Sequence, residues 1–282
     1  ILEVDVPWSP KRTGPDENAT GISIGVDPLF STYPIRGHRS NLTLAGSTKH
    51  TLLALVEAIK QVGVDSVVAI ERTARWTAVR EKRVEAIAAR AEAGKDQTPI
   101  NKSYFSRELS KHLGEDTILL SEIGVDTSQM EFTTPGSTYV GSPASILGWS
   151  IGASLGAKLA APEKTVICTL GDGSYTFGVP SAGHIVSKMQ NLPVLFIVWN
   201  NGIWNAVRNA TVTNYRDGVA VRNNDYALTS LSQAFQFEKI CEAGGGYGER
   251  VEDPNEVPAA IERALKVVRE EKRQALLNIV GQ

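Results

Sequence analysis

The chain has few cysteines, no long apolar run and no excess of charge of either sign. Cys168 and Cys241 are the only cysteines among its 282 residues. Two cysteines are too few for a disulfide framework or a thiolate metal site, which favours a reducing compartment such as the cytoplasm. No stretch approaches the ~18 consecutive apolar residues of a membrane-spanning helix. The 29 basic and 31 acidic residues nearly cancel, so neither a membrane nor a nucleic acid is an expected partner.

The remaining composition is that of an ordinary globular protein. Hydrophobic residues make up 42% of the chain and charged residues 21%, which is enough apolar material for one large domain or two smaller ones. Residues 1–6 already have the pattern of a strand, with no initiator Met before them. We therefore expect upstream sequence to be missing, so that the chain is a fragment.

Three segments are predicted along the chain. Residues 1–65 form a first unit with a strand at 20–26 and a helix at 48–62, the helix capped by Ser47 or Thr48. Residues 66–97 contain a long, charged helical linker that ends near Gly94. Residues 98–282 form the second and larger unit.

Strands alternate with helices in the larger unit. The predicted strands are 117–120, 165–170, 194–199 and 274–280, and the predicted helices are 104–113, 145–161, 181–190, 235–243 and 258–271. This alternation predicts an α/β fold with a doubly wound parallel sheet, covered by helices on both faces.

Two polar motifs follow neighbouring strands of this predicted sheet. Gly171, Asp172 and Gly173 come after one strand, and Asn200 and Asn201 end the next. Ligands bind at the carboxyl ends of parallel strands, and carboxylate and amide oxygens suit Mg²⁺. The glycines would let the backbone approach a diphosphate closely. Each motif alone could be an unrelated polar turn, but the pair predicts a metal–diphosphate site.

The pair resembles the Gly-Asp-Gly and Asn-Asn signature of the thiamine diphosphate-dependent 2-oxoacid enzymes. Residues 141–159 are similar to the family's turn and helix before the first motif, and residues 19–60 to the end of its central domain. The resemblance points to the acetolactate synthase-like and benzoylformate decarboxylase-like branch. It implies that 98–282 is the diphosphate-binding domain and that 1–65 is the last part of a Rossmann-like central domain.

The resemblance also implies site residues. Asp172, the side chain of Asn201 and the carbonyl of Ile203 would bind Mg²⁺. Further residues would bind thiamine diphosphate: Gly171, Gly173, Ser174 and Gly124 at its diphosphate, Leu147 beneath its rings, and the Ser145 carbonyl at its aminopyrimidine.

The family's reaction implies partners that this chain lacks. A 2-oxoacid is decarboxylated, and the product is released as an aldehyde or joined to a second carbonyl compound such as an aldehyde. The family's catalytic Glu lies on a separate pyrimidine-binding domain of another subunit, so the catalytic residues within this chain are unknown. We expect a homo-oligomer whose pyrimidine-binding domain comes from missing sequence or another chain. By itself the chain should be inactive.

Two alternatives to a clipped enzyme stay open. The chain could be a naturally split subunit that pairs with a separate pyrimidine-domain chain, or a non-catalytic relative that only binds the cofactor. The Gly-Gln pair usual in acetolactate synthases is absent after Ser121, which leaves the parent reaction undecided. Whether FAD binds, as in some relatives, is undecided too.

Some residues have simpler interpretations. His184 lies in the helix between the two motifs, and we expect it to be a packed histidine, not a base. Cys168 lies in a predicted buried strand, which favours an inert thiol. Gly148, Gly152 and Gly156 recur every four residues, a spacing that predicts close packing of a helix on the sheet.

Overall fold

The computed structural model describes residues 14–32, 39–141 and 146–282. The chain divides into two compact units, residues 1–80 and 81–282, and the division falls inside helix α2 (Ser66–Ala93). The predicted boundaries at 65 and 97 stay a prediction. The strand expected at residues 1–6 lies outside the described residues.

The first unit contains a small parallel sheet and one complete helix. Strand β1 (Ile22–Gly25) pairs with β2 (Leu42–Ala45), and α1 (Thr48–Val62) follows after the N-cap residue Ser47. The predicted strand and helix are confirmed. Strand β2 was not predicted, because four residues flanked by polar loops carry too little periodicity.

In the described part of residues 81–282, six strands form one parallel sheet in the order β4-β3-β5-β6-β8-β7. The strands are β3 (Thr117–Ser121), β4 (Thr138–Val140), β5 (Thr165–Gly171), β6 (Val194–Asn200), β7 (Tyr247–Val251) and β8 (Ala275–Val280). The helices are α3 (Lys102–Ser110), α4 (Trp149–Ala160), α5 (Asp172–Phe177), α6 (Pro180–Met189), α7 (Asn205–Asn214), α8 (Val219–Asn223), α9 (Phe237–Ala243) and α10 (Val257–Arg269). The predicted parallel α/β fold is confirmed.

The central strands are buried on both faces, as a doubly wound sheet requires. Consecutive residues of β5, such as Ile167 and Cys168, point to opposite faces and belong to two different apolar clusters, one on each face. The first cluster includes residues of α3 and α10, and the second includes residues of α4 and α9. Within the described residues, no helix is long and apolar enough to cross a bilayer.

Helix α4 begins later than predicted, and Gly148 is the reason. Its φ of 81° is left-handed, and a Cβ there would lie 2.2 Å from the Cα of Gly178. Because this residue has a left-handed backbone conformation, the helix starts at Trp149. The predicted close packing of these glycines on the sheet is wrong: Gly148 precedes the helix and packs against Gly178, and added Cβ atoms on Gly152 and Gly156 would meet nothing within 4 Å.

These glycines form a matched pair for mutation. We expect Gly148→Ala to destabilise the protein by about 3 kcal/mol or more, because it adds both backbone strain and overlap with Gly178. Gly152→Ala should be neutral or stabilise by up to about 1 kcal/mol, since it only improves helix propensity. Urea unfolding of both variants measures the difference, and equal stabilities would contradict this account of Gly148.

Candidate functional site

The two polar motifs meet at the carboxyl edge of the sheet. Strands β5 and β6 are neighbours, and Gly171 is in register with Trp199. Asp172 and Asn201 therefore lie close together, just beyond the carboxyl ends of these two strands. The Gly202 N–H donates a hydrogen bond to Asp172 Oδ2 at 2.7 Å, which joins the β5–α5 junction directly to the second loop of the site, the one that follows β6.

Asp172 carries a buried carboxylate. Its residue is only 3% exposed, and its Oδ1 accepts the Gly173 N–H at 2.8 Å. No Lys or Arg of the described residues forms an ion pair with it. Burial raises the pKa of the Asp172 carboxyl, while the backbone N–H groups of Gly173 and Gly202 oppose the rise. A divalent cation would supply the missing charge.

The second loop supplies two more oxygens. Asn201 Oδ1 accepts the Ile203 N–H at 3.2 Å, and the Ile203 carbonyl accepts the Asn205 N–H at 2.8 Å. Each oxygen keeps a second lone pair for another partner. Together with the Asp172 carboxylate, this is a set of hard oxygen donors of the kind that Mg²⁺ prefers.

The two adjacent asparagines have different surroundings. Asn200 is fully buried, and its Nδ2 donates to Asn278 Oδ1 at 3.1 Å and to the Gln233 carbonyl at 3.2 Å. Asn201 is only half-buried and bonds within its own loop. The core therefore holds the Asn200 amide group, although its buried Oδ1 has no hydrogen-bond partner among the described residues. Asn201 is the more accessible of the two to a ligand.

A returning segment that the sequence did not reveal holds the second loop in place. Ser230 forms an antiparallel bridge with Ile203, and the N–H groups of Leu231 and Ser232 donate to the Gly202 carbonyl at 2.7 and 3.1 Å. The segment has no periodicity and no motif, so only its position in the fold identifies it.

The glycines of the site differ in how much space the protein leaves for a side chain. A Cβ on Gly171 would meet nothing within 4 Å, whereas one on Gly173 would lie 2.6 Å from the Trp204 ring. Gly124 has a φ of 109°, and its Cβ would lie 3.1 Å from the Leu170 carbonyl oxygen. Gly173 and Gly124 are thus required by the protein's own packing, and the space beside Gly171 is open to a ligand.

The Ser174 hydroxyl is also available to hydrogen-bond to a ligand. The residue is 4% exposed, and its hydroxyl has no hydrogen-bond partner among the described residues. Of the remaining predicted residues, Leu147 is half-buried in the turn before α4. Ser145 lies outside the described residues.

Glu122 has a role that sequence reasoning did not find. It follows β3, and its Oε1 accepts the Gly148 N–H at 2.7 Å. Its Oε2 accepts the Ser150 N–H at 3.3 Å and the Ser150 hydroxyl at 2.9 Å. The carboxylate therefore caps the start of α4 from a neighbouring strand, and it fixes the turn that carries Leu147.

The chain matches the family model described as thiamine pyrophosphate enzyme, C-terminal TPP binding domain, over residues 123–279. This range is more than half of the chain, and it contains both polar motifs. The protein therefore belongs to the thiamine pyrophosphate enzyme family, and the matched region is that family's C-terminal cofactor-binding domain.

Similar proteins include acetolactate synthases. An acetolactate synthase large subunit of Mycobacterium tuberculosis is 28% identical over 180 residues, which cover 62% of this chain and 31% of that protein. A sulfoacetaldehyde acetyltransferase of Alcaligenes xylosoxydans xylosoxydans is 25% identical over 198 residues, which cover 67% of this chain and 31% of that protein. The match thus spans about a third of each relative's length.

A solved structure shares the fold. It is a thiamine diphosphate-dependent 4-hydroxybenzoylformate decarboxylase from Rhodococcus jostii, with a TM-score of 0.53 and 22% identity. The likeness covers 67% of this chain and 33% of that one.

The capping role of Glu122 can be tested by mutation. Glu122→Ala should destabilise the protein by about 1–2 kcal/mol, since it removes three hydrogen bonds at the start of α4. Glu131→Ala, at an exposed glutamate without a side-chain bond among the described residues, should change stability little. Urea unfolding measures both variants, and an equal effect would contradict the capping role.

Proposed function

We propose that this chain supplies the Mg²⁺- and diphosphate-binding part of a thiamine diphosphate-dependent 2-oxoacid lyase or carboligase similar to acetolactate synthase. The observation that carries the proposal is the buried Asp172 carboxylate, which is hydrogen-bonded to Gly202 and forms no ion pair with the described residues. Membership of the family supports the cofactor, and the oxygen donors around Asp172 support the metal.

The proposed metal ligands are the Asp172 carboxylate, the Asn201 side-chain oxygen and the Ile203 carbonyl. All three carry lone pairs beyond their present hydrogen bonds. Two phosphate oxygens and a water would complete octahedral coordination. The second loop would place Asn201 and Ile203 at the metal because residues 230–232 hold it against β6.

The proposed diphosphate contacts are Gly171, Gly173, Ser174 and Gly124. The open space beside Gly171 and the Ser174 hydroxyl, which has no hydrogen-bond partner among the described residues, support a close approach. Leu147 and the Ser145 carbonyl are assigned to the rings of the cofactor. The Glu122 cap would keep Leu147 in place, because it binds the next residue, Gly148.

When bound, thiamine diphosphate supplies the carbanion chemistry that decarboxylates a 2-oxoacid and passes the remaining fragment to a proton or a second carbonyl compound. The residues of this chain bind, orient and partly desolvate it. The carboxylate that assists at the pyrimidine ring would come from a pyrimidine-binding domain outside these residues, in a homo-oligomer. Two buried free thiols support a cytoplasmic location.

Removal of either side-chain ligand should weaken binding. We expect Asp172→Asn and Asn201→Ala to lower the affinity for thiamine diphosphate with Mg²⁺ by at least about 10–100-fold, since the first removes the negative charge of a ligand and the second removes a ligand oxygen. Asp96→Asn, at an exposed aspartate, is the matched control and should bind like the original protein. Calorimetric titration with Mg²⁺ or EDTA measures the effect, and metal-independent binding would disprove the assignment.

The chain should not turn over substrate alone. A pure 30 kDa species with thiamine diphosphate and Mg²⁺ should release no CO₂ from pyruvate, because the pyrimidine-side carboxylate is lacking. Native mass spectrometry on the same sample identifies any companion chain. Sustained CO₂ release by the pure species would refute the half-site.

A further inference from the structure

A buried polar relay leads away from the candidate site into the core. Tyr175 is fully buried on α5, three residues after Asp172. Its hydroxyl lies 2.6 Å from His184 Nε2, and His184 Nδ1 lies 2.7 Å from Gln274 Oε1. The predicted packed histidine is thus one member of a three-residue chain that links α5, α6 and the start of β8.

The hydrogen bonds of Gln274 fix the tautomer of His184. Gln274 Nε2 donates to the carbonyl oxygens of His184 and Gly244, both at 3.0 Å. The amide oxygen must therefore face His184, and an amide oxygen can only accept. His184 Nδ1 thus carries the proton, and Nε2 accepts the Tyr175 hydroxyl.

The relay is also held by ring contacts. Tyr175 meets Phe237 edge-on with centroids 5.4 Å apart, and His184 meets Phe196 edge-on at 5.0 Å. Helix α5 has only six residues, too few to be stable without tertiary support. Its position, and hence that of Asp172 and Ser174, depends on such contacts.

We propose that Tyr175 and His184 are positioning residues that hold residues 172–174 in the geometry that binds metal and diphosphate, and that they do so while His184 is neutral. The inference rests on the proposed function, because it takes residues 172–174 to be the binding turn. Neither residue is placed in contact with the cofactor.

Protonation would reverse one bond of the relay. The Nε2 N–H of a protonated His184 would donate to the Tyr175 oxygen, and the Tyr175 hydroxyl proton would be left without an acceptor among the described residues. Burial lowers the pKa of His184, and the bond to Gln274 opposes this. The contribution to stability is therefore complete above the ordinary histidine pKa of ~6.5 and is lost as pH falls through the lowered value.

In the part of the chain that the structure describes, the charged and titratable groups around the relay offer no other proton acceptor at hydrogen-bond distance. Glu238 and Cys241 lie on α9, and Cys168 lies on β5. Glu238 Oε2 already accepts a bond from Asn278 at 2.7 Å. Burial raises the pKa of both thiols to about 12, so they remain protonated.

Three variants of the full chain test the proposal. His184→Gln keeps an amide donor and acceptor but cannot titrate. Tyr175→Phe keeps the ring and removes the hydroxyl. Tyr247→Phe, which removes a hydroxyl bonded to Glu249 on the edge strand β7, is the matched control. Calorimetry measures the affinity for thiamine diphosphate with Mg²⁺ from pH 5.5 to 8, and hydrogen exchange follows residues 171–178 without the cofactor.

We expect the affinity of the original protein to fall more steeply than that of His184→Gln as the pH falls through the lowered pKa of His184, with the two within ~3-fold at pH 8. Tyr175→Phe should bind ~10-fold more weakly and exchange faster at residues 171–178, whereas Tyr247→Phe should do neither. Identical pH profiles for the original protein and His184→Gln, or a Tyr175→Phe effect no larger than that of the control, would overturn the relay.

The exchange measurement separates this inference from the proposed function. If the original protein does not bind the cofactor but Tyr175→Phe loosens residues 171–178, the relay holds α5 and the proposed function fails. If binding occurs and neither variant changes it, the relay alone fails.

Discussion

The hydrogen bond between the Gly202 N–H and Asp172 Oδ2 is the contact on which the candidate site depends. It forms only because β5 and β6 are adjacent and parallel, so that their carboxyl ends meet at one edge. Segment 230–232 holds one side of this contact, and helix α5 carries the other. The site thus lies between the start of α5 and the loop after β6, and each of the two is held by its own contacts with the rest of the domain.

The site buries the Asp172 carboxylate, which a core built only for stability would avoid. A buried carboxylate without a cation at contact distance costs free energy, and backbone N–H groups from Gly173 and Gly202 offset only part of it. Local exceptions of this kind are expected at functional sites. Family membership gives the exception a reason, since the cofactor-binding domain is the part of the chain in which Asp172 lies.

Much of the fold could be predicted from the sequence. The apolar runs of β5, β6 and β8 and the periodic pattern of α1 identified these elements, because burial on two faces or on one helical face leaves a clear signature. Strands β4 and β7 and helices α7 and α8 have no such signature. These elements are short or exposed, and contacts with residues distant in sequence determine their structure.

The sequence by itself determined the parallel α/β class, the order of the main elements and the two polar motifs, all of which depend on local patterns of burial and turn chemistry. The tertiary structure alone decided that Glu122 caps α4, that Asn200 and Asn201 have different surroundings, and that Tyr175, His184 and Gln274 form one relay. These contacts join residues up to 90 positions apart along the chain. Their partners are brought together by strand order and helix packing, which no local pattern encodes.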